Sequence, residues 1–231
     1  MRIVTWNLFH GRGLPNAGRD LQDEFAAALA GWAWDVALLQ EVPPWWPVAL
    51  GRRCEASARM ALTSRNALLP ARRLLARHVP DLVKSNGGGS NAILVRGHAI
   101  ADHRTVVLRH RPERRVAHAV RLEDGTWIGN LHAQVHSEAF AQADLAVAAV
   151  TLDEWAGGIT HPVILGGDTN THRPHAGDLR VMGGHNVDFV LARGWEAQGP
   201  REVLEHGTLS DHVPVAVTLA RRGSTRPPRR P

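Results

Sequence analysis

The chain has 231 residues, 44% hydrophobic and 21% charged, enough to bury the core of one large domain. No stretch of about 18 uninterrupted apolar residues occurs, which argues against a membrane span, and the lone cysteine, Cys54, excludes an internal disulfide and a cysteine-built zinc site. The net charge of +5 belongs to the C-terminus: Arg221, Arg222, Arg226, Arg229 and Arg230 account for five of the 27 basic residues, leaving 22 against 22 acidic ones in 1–220. In chain order, "RIVTWNLF" reads as a first strand and lacks the cleavage site of a secretory signal, so a cytoplasmic protein is the simplest expectation. "DLQDEFAAALAGW" follows with Leu21, Phe25, Ala28, Leu29 and Trp32 at helical spacing and Asp20 as its N-cap. "DVALLQ", "ARMAL", "NAILVR" and "HRTVVLRH" read as strands. "RVAHAVRL" and "TWIGNLHA" flank "EDG" as a hairpin. Ser137 caps a long helix with Leu145, Ala148, Leu152 and Trp155 as its apolar stripe, and Gly157–Gly158 end it. "PVILGG", "VDFVLA" and "VPVAVTL" are the last strands.

Many strands with few helices, and hairpins mixed with β–helix–β units, exclude a purely parallel sheet. They predict an α/β sandwich, two mixed sheets face to face with helices outside. One domain is expected over 1–220, followed by a disordered Arg/Pro-rich tail over 221–231 that either touches a polyanion or only aids solubility. A monomer is expected.

Polar residues gather where strands end, positions a core does not tolerate unless they are paired. Asn7 ends "TWN" and Glu41 ends "LLQE". Asn130 and His132 share one face of "IGNLH", because side chains alternate along a strand. Asp168 and Asn170 end "ILGGDTN", Asp188 opens "VDFVL", and Asp211–His212 precede "VPVAV". Each alone has a bland explanation as a turn, cap or solvated group. Together they offer hard oxygen donors suited to Mg²⁺ or Mn²⁺ and a histidine beside a carboxylate, the groups that metal-assisted phosphate-ester hydrolysis uses.

The ordered set "TWN", "LLQE", "GGGSNAILVR", "GNLHA", "LGGDTN", "VDFVL" and "LSDHVPV" resembles the endonuclease/exonuclease/phosphatase superfamily, its deoxyribonuclease-I-like branch included, from residue 3 to about 219. The resemblance implies a four-layered α/β sandwich and a divalent-metal-dependent phosphoesterase. It implies Glu41 as principal Mg²⁺ ligand with Asn7 and Asp211 close to the metal. Asp168 and Asn170 would orient the attacking water and the phosphate, His212 would contact the scissile phosphate, Asp188 would orient His212, and His132 would be a second phosphate-side histidine. Asp168 is the chosen general base and His132 the alternative. A phosphodiesterase or nuclease is the leading reading. A phosphomonoesterase or an inositol-phosphate or phospholipid hydrolase is the rival, and a non-catalytic binding module on the same fold is the reading of another class.

Two departures stand out. The chain has no tyrosine, so the tyrosine that many relatives direct at the phosphate is missing, with Arg65, Asn91 and His10 as unranked substitutes. The neutral body argues against a duplex binder, which usually carries a basic footprint. Asn130, Asn91 and Trp45 are further expected substrate contacts, Trp45 as a stacking wall just past Glu41.

Overall fold

The computed structural model describes residues 1–63, 66–78 and 89–223. Its strands form two sheets. The first has the order β11 (Trp195–Ala197), β13 (Val215–Arg221), β1 (Arg2–Asn7), β2 (Val36–Val42), β4 (Ser90–Val95) and β3 (Ser57–Leu62), with β12 (Glu202–Val203) also paired to β13. The second runs β5 (Ile100–Arg109), β6 (Arg115–Leu122), β7 (Trp127–His132), β8 (Val163–Asp168), β10 (Asp188–Arg193) and β9 (Arg180–His185). Among the described strands, β1–β2 and β7–β8 are the parallel pairs. Each is joined through a helix, α1 (Gln22–Gly31) and α4 (Glu138–Ala156) respectively, because parallel neighbours need a long crossover.

Strand alternation sorts the apolar residues into three cores. Val4, Trp6, Ala37 and Leu39 face outward onto Phe25 and Leu29 of α1. Ile3, Val36, Leu38 and Ile93 meet Val120, Ile128, Ile164 and Val190 between the sheets. Leu131, Leu165 and Leu191 turn outward onto Leu145, Ala148 and Leu152 of α4. The result is helix, sheet, sheet, helix: the four layers expected. Burying these side chains supplies the main drive to fold, about 25 cal/mol per Å² of apolar surface.

The helix ends follow local chemistry. Ser137 Oγ accepts a hydrogen bond from Phe140 N (3.2 Å), and Gly157 closes α4 at φ 89°, a left-handed position that glycine takes without strain. At α1, Asp20 lies one residue further out than a cap: the helix starts at Gln22, whose N donates to Asp20 Oδ1 (3.0 Å). Six described elements have no counterpart in the sequence reading: the single 3-10 turn Phe9–Gly11, α2 (Pro47–Arg53), α3 (Leu69–His78), β9, β11 and β12. In β9, Gly183 and Gly184 imitate a turn. They are strand residues paired with Val190 and Phe189 of β10, and they are glycine because a Cβ would meet Val217 at 2.8 Å and the Phe189 ring at 2.1 Å. Strand β13 ends at Arg221, and Arg222 pairs with Glu196 (3.0 Å); Arg226, Arg229 and Arg230 lie outside the described residues. No described helix is long and apolar enough to cross a membrane.

Candidate active site

Register brings the second sheet's contribution into one row. β7 sets His132 beside Asp168 of β8, and β10 sets Asp188 beside Asp168 on the other side. All three share the parity of Ile128, Ile164 and Val190, so they face the first sheet, at the rim where the inner core ends. Gly167, at φ 138°, makes the row possible: a Cβ there would lie 2.0 Å from Leu131 O. Gly166 lets the sheets close, since its Cβ would meet Leu38 at 2.8 Å. The double glycine before Asp168 is thus a packing requirement rather than a phosphate-binding loop.

The first sheet supplies the opposite wall. By alternation Glu41 belongs on the outer face with Ala37 and Leu39. It instead has φ 51°, and the β2–β4 register shifts between Leu39 and Val42. This bulge turns its side chain into the site. Glu41 Oε2 lies 3.1 Å from His10 Nε2, and Oε1 lies 3.9 Å from His132 Nδ1. His10 reaches it from a tight turn in which Phe9, His10 and Gly11 have φ of 49°, 54° and 76°. Gly11 is obligatory there, because a Cβ would strike the Trp46 ring at 2.4 Å. Asn7 ends β1 with Nδ2 donating to Asp168 Oδ2 (2.9 Å) and Oδ1 accepting from Phe9 N (2.9 Å). Its oxygen accepts one hydrogen bond and keeps a second lone pair, and its amide nitrogen orients a carboxylate.

His212 closes the ring from the loop before β13. Its Nδ1 is 2.7 Å from Asp188 Oδ2 and its Nε2 3.8 Å from Asp168 Oδ2. The loop is pinned by Ser210, whose Oγ donates to Asn7 O (2.6 Å) and accepts from His212 N (3.0 Å), and by Trp6 Nε1 donating to His212 O (3.0 Å). His132 Nε2 stands 3.5 Å from Asp168 Oδ2. Asn170, at φ 49°, donates its backbone N to Asp168 Oδ1 (3.0 Å) and its Nδ2 to Ala133 O (2.9 Å). Asp211 is exposed at the rim, where its charge acts on Glu41, His10 and His212.

Burial and charge set the protonation states. Burial raises Glu41 and Asp168 above the usual carboxylate range; the His212 charge opposes this in both. Burial also raises Asp188, to about 6, against the hydrogen bond from His212. For His212, burial pulls the pKa down, but the Asp188 hydrogen bond and the charges of Asp188, Asp168 and Asp211 outweigh it and lift it to about 9. At neutral pH the pair is imidazolium and carboxylate. Burial drives His10 down to about 4, with Arg12 adding to the effect, and pushes His132 well below its ordinary value. Among the described residues, no Lys or Arg forms an ion pair with Glu41, Asp168 or Asp188. Asp168, Asp188 and His212 offer ligand atoms within 4.8 Å of one another. Crowded carboxylates without a permanent counter-charge are costly in this setting, and the hard oxygen donors fit a divalent cation such as Mg²⁺.

Two of the expected substrate contacts are closed to a ligand, and the third lines a hollow of its own. Asn130 is a correction: it is wholly buried, its Nδ2 donating to Leu39 O and Ala92 O (2.9 Å each) and its Oδ1 accepting from Gln40 Nε2 (2.8 Å). Its amide is spent tying the sheets together beneath the site. Asn91 is also fully buried, in β4, with Nδ2 on Val116 O (2.9 Å). Trp45 is half-buried and, with Pro44, Leu69, Pro70 and Arg73, lines a hollow of about 410 Å³; its neighbour Trp46 is buried against Phe25. Arg65 lies outside the described residues. His10 enters the site through a left-handed turn, which nothing in "FHG" announces.

The sequence matches the Endonuclease/Exonuclease/phosphatase family over residues 4–212. The chain belongs to that family, whose members are phosphoesterases and nucleases. No curated protein matches the sequence. Among solved structures it is similar to a functionally unknown conserved protein from Enterococcus faecalis V583, at 17% identity and TM-score 0.69, covering 96% of this chain and 100% of that one. It is similar to the mannosyl-6-phosphatase of Bacteroides thetaiotaomicron VPI-5482, at 15% identity and TM-score 0.70, covering 95% and 99%. It is also similar to the human Nocturnin catalytic domain, at 16% identity and TM-score 0.68, covering 96% and 94%. At these identities the likeness is one of fold.

Proposed function

We propose that this protein is a divalent-metal-dependent phosphoesterase that cleaves phosphate esters, phosphodiesters first among them, by attack of water. The observation that carries this reading is the ring of His132, Asp168, Asp188, His212, His10 and Glu41 at one rim of the sandwich, with carboxylates that have no Lys or Arg partner among the described residues. Glu41 and Asp211 would hold the cation. When bound, that ion would neutralise charge on the phosphate and stabilise the leaving oxygen.

The chain's own groups do the rest. Asp168, fixed by Asn7 Nδ2 and Asn170 N on its two oxygens, aligns the attacking water and accepts its proton; its raised pKa makes it a better base than a solvated aspartate. His212 is held as imidazolium by Asp188 and donates to a phosphate oxygen as negative charge builds there. His132 is neutral between Glu41 and Asp168 and donates or accepts without adding charge. Asn7 positions Asp168 through its Nδ2, and its Oδ1 would lie close to the cation beside Glu41.

A hydrolysis panel tests the reading. Bis-p-nitrophenyl phosphate, p-nitrophenyl phosphate, single- and double-stranded DNA, RNA and inositol phosphates are incubated with purified protein after exhaustive chelation, then with Mg²⁺ or Mn²⁺. Metal-dependent turnover with diesters above monoesters is expected. A monoester preference would move the protein to the phosphatases, and absence of turnover on every substrate would make it a binding module.

A further inference from the structure

Among the described residues, Arg12 is a cation at this rim without a carboxylate partner. Arg12 follows the left-handed turn of Phe9–Gly11 and is half-buried. Its guanidinium lies over the Phe9 ring, 4.9 Å from the centroid, a cation–π contact that fixes its plane. Its backbone is fixed too: Arg12 N donates to Phe9 O (3.1 Å), and Arg12 O accepts from Ser210 N (2.8 Å), in the loop that carries Asp211 and His212. Among the described residues its guanidinium has no carboxylate partner, and its Nε is buried without an acceptor. Arg12 lies two residues beyond His10, which contacts Glu41, and its charge acts on His10, so it flanks the reacting centre without touching Glu41. Arg115 is a different case. Its charge also acts on Glu41 and His10, but it is paired with Glu113 (3.0 Å) and its side chain is enclosed.

A planar, unpaired guanidinium held in fixed orientation beside a phosphoesterase site is built for a second anion. The reacting phosphate belongs among Glu41, Asp168 and His212, whereas Arg12 is anchored beside them, on the Phe9 ring and on Ser210. We propose that Arg12 receives a second anionic group of the substrate, a phosphate one linkage removed from the one that reacts. The inference rests on the phosphoesterase reading and narrows its substrate class to molecules with two neighbouring phosphates, either successive phosphates of an oligonucleotide or the two phosphates of a bis-phosphorylated small molecule.

Binding to the metal-free protein separates this inference from catalysis. Dissociation constants are measured by calorimetry for thymidine 3′,5′-bisphosphate and thymidine 5′-monophosphate, and for inositol 1,4-bisphosphate and inositol 1-monophosphate. The wild type is expected to prefer at least one bisphosphate by about tenfold, the scale of one charge-assisted contact at a half-exposed site. Arg12→Gln should bring that ratio near one, and Arg12→Lys should keep part of it. Which pair shows the preference identifies the source of the second phosphate. Equal binding of mono- and bisphosphate by the wild type, no binding of either, or an unchanged ratio in Arg12→Gln overturns the proposal. A protein that hydrolyses no phosphate ester but loses its bisphosphate preference in Arg12→Gln would sink the enzymatic reading and leave the subsite standing.

Discussion

His118 makes the acid stability of this fold quantitative. It faces inward from β6, fully buried, with Nδ1 3.1 Å from His103 Nε2 and Nε2 3.4 Å from Asn130 Nδ2. Burial lowers its pKa from 6.5 to about 3, and the neighbouring His103 charge adds to the effect. The unfolded chain therefore binds a proton that the folded one refuses between these values. Stability is complete above the unfolded pKa and is lost as the pH falls through 6.5 toward 3. Linkage gives a loss of about 2 kcal/mol at pH 5 relative to pH 7.5, and a limit of about 5 kcal/mol in stronger acid. The test compares the wild type with His118→Gln, whose amide keeps hydrogen-bonding capacity and does not titrate. Urea unfolding of both at pH 7.5 and 5.0 should show the variant less stable at pH 7.5 but less sensitive to acid, with the two-pH difference smaller by about 2 kcal/mol. Parallel losses in the two proteins, or an NMR titration of the His118 ring near pH 6 in the folded wild type, would refute the reasoning.

Asp188→Asn and His212→Ala should each lower kcat roughly a hundredfold or more, and the double variant should be little worse than either, since the 2.7 Å pair acts as a unit; additive losses in a four-protein cycle at saturating Mg²⁺ would dissolve the pair. Glu41→Gln should shift half-saturation by Mg²⁺ to higher concentration, with activity partly restored as metal is raised; a loss insensitive to metal would take Glu41 out of coordination. Gly167→Ala should cost more than about 4 kcal/mol or prevent folding, because its Cβ meets a backbone oxygen at 2.0 Å. Gly125→Ala, with open space around its Cβ, should cost about 1 kcal/mol from its positive φ alone; similar melting temperatures for the two would contradict the packing argument.

Strand parity and strand ends account for how the sequence groups most of the candidate residues. His132, Asp168 and Asp188 were legible because each terminates or opens an apolar run, and period two fixes the face it shares. Parity gives the face but not the depth, which is why Asn130 reads as a companion of His132 when it is buried one step below, bonded to Leu39 O and Ala92 O. Glu41 reaches the site by breaking alternation at a bulge, and His10 by three consecutive left-handed residues; neither geometry leaves a mark on residue type. α2 was hidden by "PPWWP", where Pro47 opens the helix at a position that needs no N–H. β11 and β12 are too short, at three and two residues, to show a period.

The pairing of β1 with β13 has a bearing on when this protein becomes competent. Arg2 lies opposite Thr218, and the two are 216 positions apart. β1 is an interior strand whose second neighbour arrives only after nearly the whole domain has left the ribosome, and the loop holding Asp211 and His212 arrives with it. Asn7, Glu41 and Asp168 can be made early but cannot be confronted with His212 until that last pairing forms. Such a topology closes slowly, since distant segments must meet before they gain anything. The two walls of the site are thus joined by the contact that is most distant in the sequence, and the ring of Asn7, Glu41, Asp168 and His212 is complete only when β1 and β13 have paired.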